Sequence, residues 1–179
     1  AMAWLLARRR FFGKSLLDAL VHLPLVLPPV VVGYALLVTF GHGGAVGRFL
    51  SEQFGISIAF RWTGAALASA IMGFPLMVRA IRLAIESVDR RLEQAAATLG
   101  ASPLRVFFSV TLPLAWPGIV AGTVLAFAKA LGEFGATITF VSSIPGQTRT
   151  LSSEIYGLMQ MPGGEAGIWR LAIVAVAIS

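Results

Sequence analysis

Residues 19–40 carry no Asp, Glu, Lys or Arg, and His22 is the one imidazole among them. An uncharged apolar run of that length narrows the choices sharply. The hydrocarbon core of a bilayer is about 30 Å thick, and a helix needs roughly 20 apolar residues to cross it. Three further runs repeat the pattern. Residues 62–78 form a slightly shorter one that ends at Arg79, and residues 114–140 form a longer one that contains Lys129 and Glu133. The last begins at Ile168 and meets Arg170 early. Apolar side chains make up 57% of the chain and charged ones 12%. A soluble domain carries about 25% charged residues, so this chain cannot cover its surface with polar groups in water. In lipid it has no need to, provided every backbone group is bonded internally. The expected fold class is an all-α, polytopic transmembrane helical bundle.

The formal net charge is +6. Its placement argues against nucleic acid as the partner, because the cations cluster beside apolar runs. Arg8, Arg9, Arg10 and Lys14 form one cluster, and Arg79, Arg82, Arg90, Arg91 and Arg105 the other. No basic-aromatic platform for bases accompanies them. Lys and Arg at the ends of spans mark the cytoplasmic side. That rule puts connectors 11–18 and 86–113 in the cytoplasm and connectors 41–61 and 141–167 outside, so that each span crosses once. Pro145-Gly146 and Pro162-Gly163-Gly164 read as turns in the last connector. Cysteine is absent, which excludes disulfides and thiolate metal sites. The apolar run 1–7 precedes its charges and is too short for a signal peptide; it reads as the tail of a helix. The run 171–179 is too short to span. One domain, 1–179, is expected, belonging to a parent chain that extends at both ends, with no internal repeat.

The first span is rich in proline. Pro24, Pro28 and Pro29 each remove a backbone donor, and so kink or interrupt the helix. In lipid the freed carbonyls need partners from neighbouring helices or water, which places the segment inside a bundle or beside a cavity. Two readings stand: a kinked packing helix, or a segment in which Pro28 and Pro29 line a pathway. His22 reads as a packed or interfacial residue, since no second ligand lies at metal-binding spacing.

The connector 86–113 has the most articulate local code. Val88, Leu92, Ala95, Ala96 and Leu99 recur at helical spacing. Asp89 suits an N-cap and Gly100 the left-handed position that ends a helix. Ser102-Pro103 then restarts a helix, with Ser102 as cap and Pro103 at the first position. This second helix is expected to stop at Leu112-Pro113. The alanines 95–97 permit close approach of another surface, framed by Arg90, Arg91 and Glu93. The physics fits either a docking helix for another protein or an amphipathic helix on the lipid surface.

Gln94-Ala95-Ala96-Ala97-Thr98-Leu99-Gly100, followed by Phe107 or Phe108 and by Leu112-Pro113, resembles the EAA loop of binding-protein-dependent ABC importers. In that family the loop is the coupling helix seated in a groove of the cytoplasmic ATPase. The resemblance implies ATPase coupling through Glu93, Gln94, Ala95, Ala96, Gly100, Ser102 and Pro103. The family's acidic residue is here Gln94, with Glu93 beside it, and either side chain can supply the polar contact. His22-Leu-Pro-Leu-Val-Leu-Pro-Pro-Val-Val-Val-Gly-Tyr34, Phe74-Pro-Leu-Met-Val-Arg-Ala-Ile-Arg82 and Leu131-Gly-Glu-Phe-Gly-Ala-Thr-Ile-Thr-Phe140 are similar to molybdate permeases. The Gly-Glu-Phe-Gly stretch is shared with the wider sulfate/molybdate group. The implied protein is a type I (MetI-like) permease in the bacterial cytoplasmic membrane. Its implied partners are a second copy of itself, two ABC ATPase subunits and an extracytoplasmic oxyanion-binding protein. Its cargo is then molybdate, tungstate or sulfate.

Lys129 and Glu133 stand four residues apart, so they can pair on one helix face. Such a pair either locks helices together or borders the anion pathway, where Thr137, Thr139 and Ser142 offer hydroxyls. Hydroxyls in helices also bond to their own backbone. Gly13-Lys14-Ser15 resembles the end of a P-loop, but the earlier glycine that motif requires falls at Arg8 and no strand precedes it. No nucleophile elbow, zinc-protease motif or carboxylate dyad is present. The chain is therefore expected to be no enzyme and to need no cofactor. A secondary transporter would instead show inverted repeats and a charged relay at mid-membrane.

Overall fold

A computed structural model describes residues 1–178; the end of the C-terminal run, Ser179, lies outside the described residues. The chain is helical throughout, with no strand among the described residues. In order the elements are α1 (Met2–Arg8), α2 (Lys14–Val26), α3 (Pro29–Phe40), α4 (Ala45–Phe54), α5 (Trp62–Ser87), α6 (Arg90–Thr98) and α7 (Pro103–Val106). A π-helical segment (Phe107–Thr111) leads into α8 (Leu112–Leu131), then α9 (Gly135–Val141), α10 (Leu151–Met159) and α11 (Glu165–Ile178). Two stretches, Trp62–Ser87 and Pro103–Leu131, are each long and apolar enough to cross a membrane. The all-α, membrane-spanning class read from the apolar runs is the class found.

Proline and glycine decide where the long runs break. The run 19–40 is two helices, α2 and α3, whose axes differ by 112°. Pro28 and Pro29 supply no N–H, and Pro29 opens α3 with its φ already set for a helix. The run 114–140 is likewise broken, at Gly132-Glu133-Phe134. In contrast, α5 outlasts its apolar portion. Arg82 and Glu86 pair one turn apart at 2.9 Å and support the polar end of the helix. The helix begun at Pro103 also continues where a stop at Leu112-Pro113 was expected. The wider π turn shifts the hydrogen-bond register just before Pro113, and the missing donor falls at that shift. The connectors 41–61 and 141–167 both contain helices that their Gly-rich or polar composition hid. Gly55, at φ 66°, ends α4, and a Thr150–Ser153 capping box opens α10.

The chain forms two compact units, and it passes between them within α2, α5 and α8. The first comprises Ala1–His22 and Phe74–Ala126. Its core is Ala3, Leu6, Val78, Ile85, Val88 and Ala115. Here α5 and α8 meet through small residues: a Cβ on Gly118 would overlap the Ala84 side chain, and one on Gly122 would stand 3.1 Å from the Ala80 Cβ. Two glycines four apart facing two alanines four apart are the close-packing device of membrane helices.

The second unit comprises Leu23–Gly73 and the residues from Phe127 onward. Val32, Leu36, Ala68, Met72, Ala136 and Phe140 belong to its core. Helices α3 and α9 touch backbone to backbone, for a Cβ on Gly33 would lie 2.5 Å from the Ala136 carbonyl oxygen.

Candidate functional site

The residues expected to couple to an ATPase all fall in the first unit, on α6, in the turn after it and at the first residue of α7. Asp89 caps the helix as its sequence position suggests, its carboxylate accepting from Arg91 N–H at 2.9 Å. At the other end Gly100 takes φ 83°, and its N–H donates to the Ala97 carbonyl at 3.0 Å. Ser102 Oγ then accepts from Arg105 N–H, and Pro103 is the first residue of α7. The result is a helix–glycine–helix unit whose helix ends are set by local caps.

Its two sides differ. Gln94, Ala95 and Ala97 are exposed, whereas Glu93 and Ala96 are half-buried. Glu93 is engaged within the unit: its Oε1 accepts from Arg8 Nη2 at 2.8 Å and from Thr111 Oγ1 at 2.7 Å. Of the two polar residues that open the motif, Gln94 is therefore the one turned outward. Leu99, just after α6, and Leu104, on α7, are 88% and 72% exposed, and Phe108 is exposed while its ring meets Phe107 edge to face at 5.2 Å. A cavity of about 410 Å³ opens between α1, α6 and α7, lined among others by Trp4, Arg8, Arg90, Glu93 and Gln94. Arg8 and Thr111 escaped the sequence reading. They lie 85 and 18 residues from Glu93, and no local pattern links such positions.

The residues expected near a pathway fall in the second unit. Pro28 precedes α3 and Pro29 opens it, and a Cβ on Gly135 would stand 2.8 Å from the Pro29 ring. Lys129 Nζ pairs with Glu133 Oε2 at 2.9 Å. The pair joins the last turn of α8 to the break that follows it, instead of lying within one helix. Glu133, with its side chain 1% exposed, also accepts the Ala136 N–H at 3.0 Å and so starts α9. The hydroxyls of Thr137 and Thr139 donate to the Phe134 and Gly135 carbonyls at 2.9 and 2.8 Å. The carbonyl of Ser142 accepts from Thr148 Oγ1. Thus Pro29 and Thr139 lie at the close α3–α9 packing, beside Gly135 and Gly33, while the hydroxyls of Thr137 and Thr139 are bonded to the backbone of their own segment. His22 Nδ1–H donates to the Asp18 carbonyl at 2.8 Å, and no metal-binding cluster occurs among the described residues.

Comparison with known proteins fits this geometry. The chain matches, over residues 1–179, the family described as binding-protein-dependent transport system inner membrane component. It is 65% identical over 177 residues to the molybdenum transport system permease protein ModB of Escherichia coli (strain K12), covering 99% of this chain and 77% of that protein. The Haemophilus influenzae protein of the same name is 57% identical over 178 residues, covering 99% of this chain and 78% of the relative. The sulfate transport system permease protein CysT of Salmonella typhimurium is 42% identical over 159 residues, or 89% of this chain and 57% of the relative. A helical, multi-pass membrane chain with these likenesses belongs to the family of binding-protein-dependent transport system inner membrane components.

Proposed function

We propose that this chain is the permease subunit of an ATP-driven molybdate importer in the bacterial cytoplasmic membrane. The observation that carries the reading is the 65% identity, across 99% of the chain, to a molybdenum transport permease. The likeness to a sulfate permease is lower and shorter, at 42% over 159 residues, which favours molybdate or tungstate as cargo over sulfate.

In this reading two copies enclose the pathway, and two separate ATPase subunits dock on the outward side chains of residues 89–112 on the cytoplasmic side. The exposed Gln94, Ala95 and Ala97 of α6 support that surface, because small side chains let the wall of a groove approach the helix backbone. ATP binding draws the ATPases together, moves α6 and turns the pathway outward, and hydrolysis returns it. The contact that differs between the two states is the ATPase interface, as any ligand-driven shift of population requires. An extracytoplasmic binding protein selects the oxyanion. Pro28, Pro29, Lys129, Glu133, Thr137 and Thr139 hold the α3–α9 junction beside which the anion passes. The near neutrality of Lys129 with Glu133 suits a route that must release its cargo.

The test is reconstitution into vesicles with the cognate ATPase and binding protein, followed by uptake of molybdate, tungstate and sulfate in parallel. ATP-dependent molybdate uptake that fails without either partner supports the reading. Uptake of sulfate in preference to molybdate, or uptake by the permease alone, refutes it.

A further inference from the structure

Glu93 sits in the first turn of α6, yet its carboxylate points away from the exposed face of that helix. One oxygen, Oε1, receives both Arg8 Nη2 and Thr111 Oγ1, at 2.8 and 2.7 Å. Arg8 ends α1, and its side chain is only 10% exposed. The same Nη2 lies 3.4 Å from the carbonyl of Val88, between α5 and α6. Thr111 is the last residue of the π segment and is 2% exposed. A second contact runs parallel to the first, where the Trp4 ring of α1 meets the Phe107 ring of the π segment edge to face at 6.5 Å.

Three elements therefore converge on one carboxylate oxygen. The pair is partly shielded from solvent, with the Arg8 side chain 10% and the Glu93 side chain 21% exposed, so its formation costs some desolvation and for stability alone packed apolar side chains would serve as well. An ion pair differs from apolar packing in one respect: it ties together two particular residues, and removing either partner leaves an unmatched charge. A π turn is also where helices carrying a function depart from regular geometry.

We infer that Glu93 is a positioning residue, a latch that binds α6 to α1 and to the π segment at the start of α8. A push on the exposed face of α6 then moves those elements as one body. Without the latch, α6 pivots on its two ends, at Asp89 and at Gly100. This role rests on the coupling function proposed above, but it assigns Glu93 to transmission within the permease and leaves the ATPase contact to the outward residues.

The test uses the full chain assembled with its ATPase and binding protein in vesicles, with molybdate as cargo. Three quantities are read: ATPase capture, ATP hydrolysis, and molybdate taken up per ATP. Glu93→Ala and Arg8→Ala are expected to capture the ATPase normally and hydrolyse ATP, with uptake per ATP falling about tenfold, within the range that coupling residues display. Arg8→Lys keeps the charge and is expected to retain most of the coupling. Should the single variants fail to fold, the double variant Arg8→Met/Glu93→Leu leaves no buried charge and is expected to fold but remain uncoupled. Unchanged uptake per ATP in Glu93→Ala or in the double variant overturns the latch. So does loss of ATPase capture by Glu93→Ala, which would make Glu93 a docking contact while the coupling function stands. Gly100→Trp is the control for the underlying reading: normal capture and uptake by that variant would refute docking at α6 itself.

Discussion

Gly100 separates two effects that most substitutions confound. At φ 83° it occupies a conformation costing an L side chain about 1–2 kcal/mol. A Cβ built there meets nothing within 4 Å, so the permease itself places no steric limit on side-chain size. Gly100→Ala and Gly100→Trp should therefore lower the stability of the permease in detergent by the same small amount. Asn, which tolerates the left-handed region, should cost less than either. A penalty of about 1–2 kcal/mol corresponds to roughly a five- to thirtyfold shift in the local equilibrium, enough to slow coupling without abolishing it. Size should matter once another protein lies against the turn. Uptake is then expected to rank wild type, Asn, Ala and Trp in falling order, with Trp inactive, while thermal unfolding of the purified permease puts Ala level with Trp. If Trp transported like wild type, or if it alone destabilised the purified permease, the reasoning would be refuted.

Two substitutions probe the helix junctions. Glu133→Ala removes the partner of Lys129 and the acceptor for Ala136 N–H together. Its cost should lie between the ~1 kcal/mol of an exposed pair and the ~3–5 kcal/mol of a buried one, because Lys129 is 31% exposed; Glu133→Gln, which keeps the acceptor, should cost visibly less. Thermal unfolding in detergent measures both, and equal losses would argue against the capping role. Gly118→Ala should destabilise the α5–α8 contact by about 1–3 kcal/mol through overpacking against Ala84, and Ala84→Gly should recover much of that loss in the double variant. Additive losses in the double variant would show that the two helices do not meet there.

The caps and the turn around α6 were legible because each is a local device. Asp89, Gly100 and Ser102-Pro103 act on backbone groups within a few residues, so order along the chain states the geometry. The amphipathic helices α4 and α10 carried the same kind of signal in Val46, Phe49 and Leu50 before Gly55, and in Thr150 before Leu151 and Ile155. There the Gly-rich and polar surroundings masked it. The break at 132–134 was harder to foresee. An acidic residue four places after a lysine looks like a helical pair, and only the approach of Gly135 to Pro29 and of Ala136 to Gly33 shows where the helix must restart.

By itself the order of residues determined that the chain lives in lipid, that it is built of helices, that the first apolar run is disrupted at Pro28-Pro29 and which connector bears a capped, small-faced helix. Those properties follow from transfer energies and backbone chemistry, which act over a few residues. Tertiary structure alone decided that Glu93 faces inward and Gln94 outward, because the choice depends on Arg8 and Thr111 arriving from distant stretches to satisfy one carboxylate. A charge with two good partners is held where they are, and helical periodicity carries no information about which partners will be there.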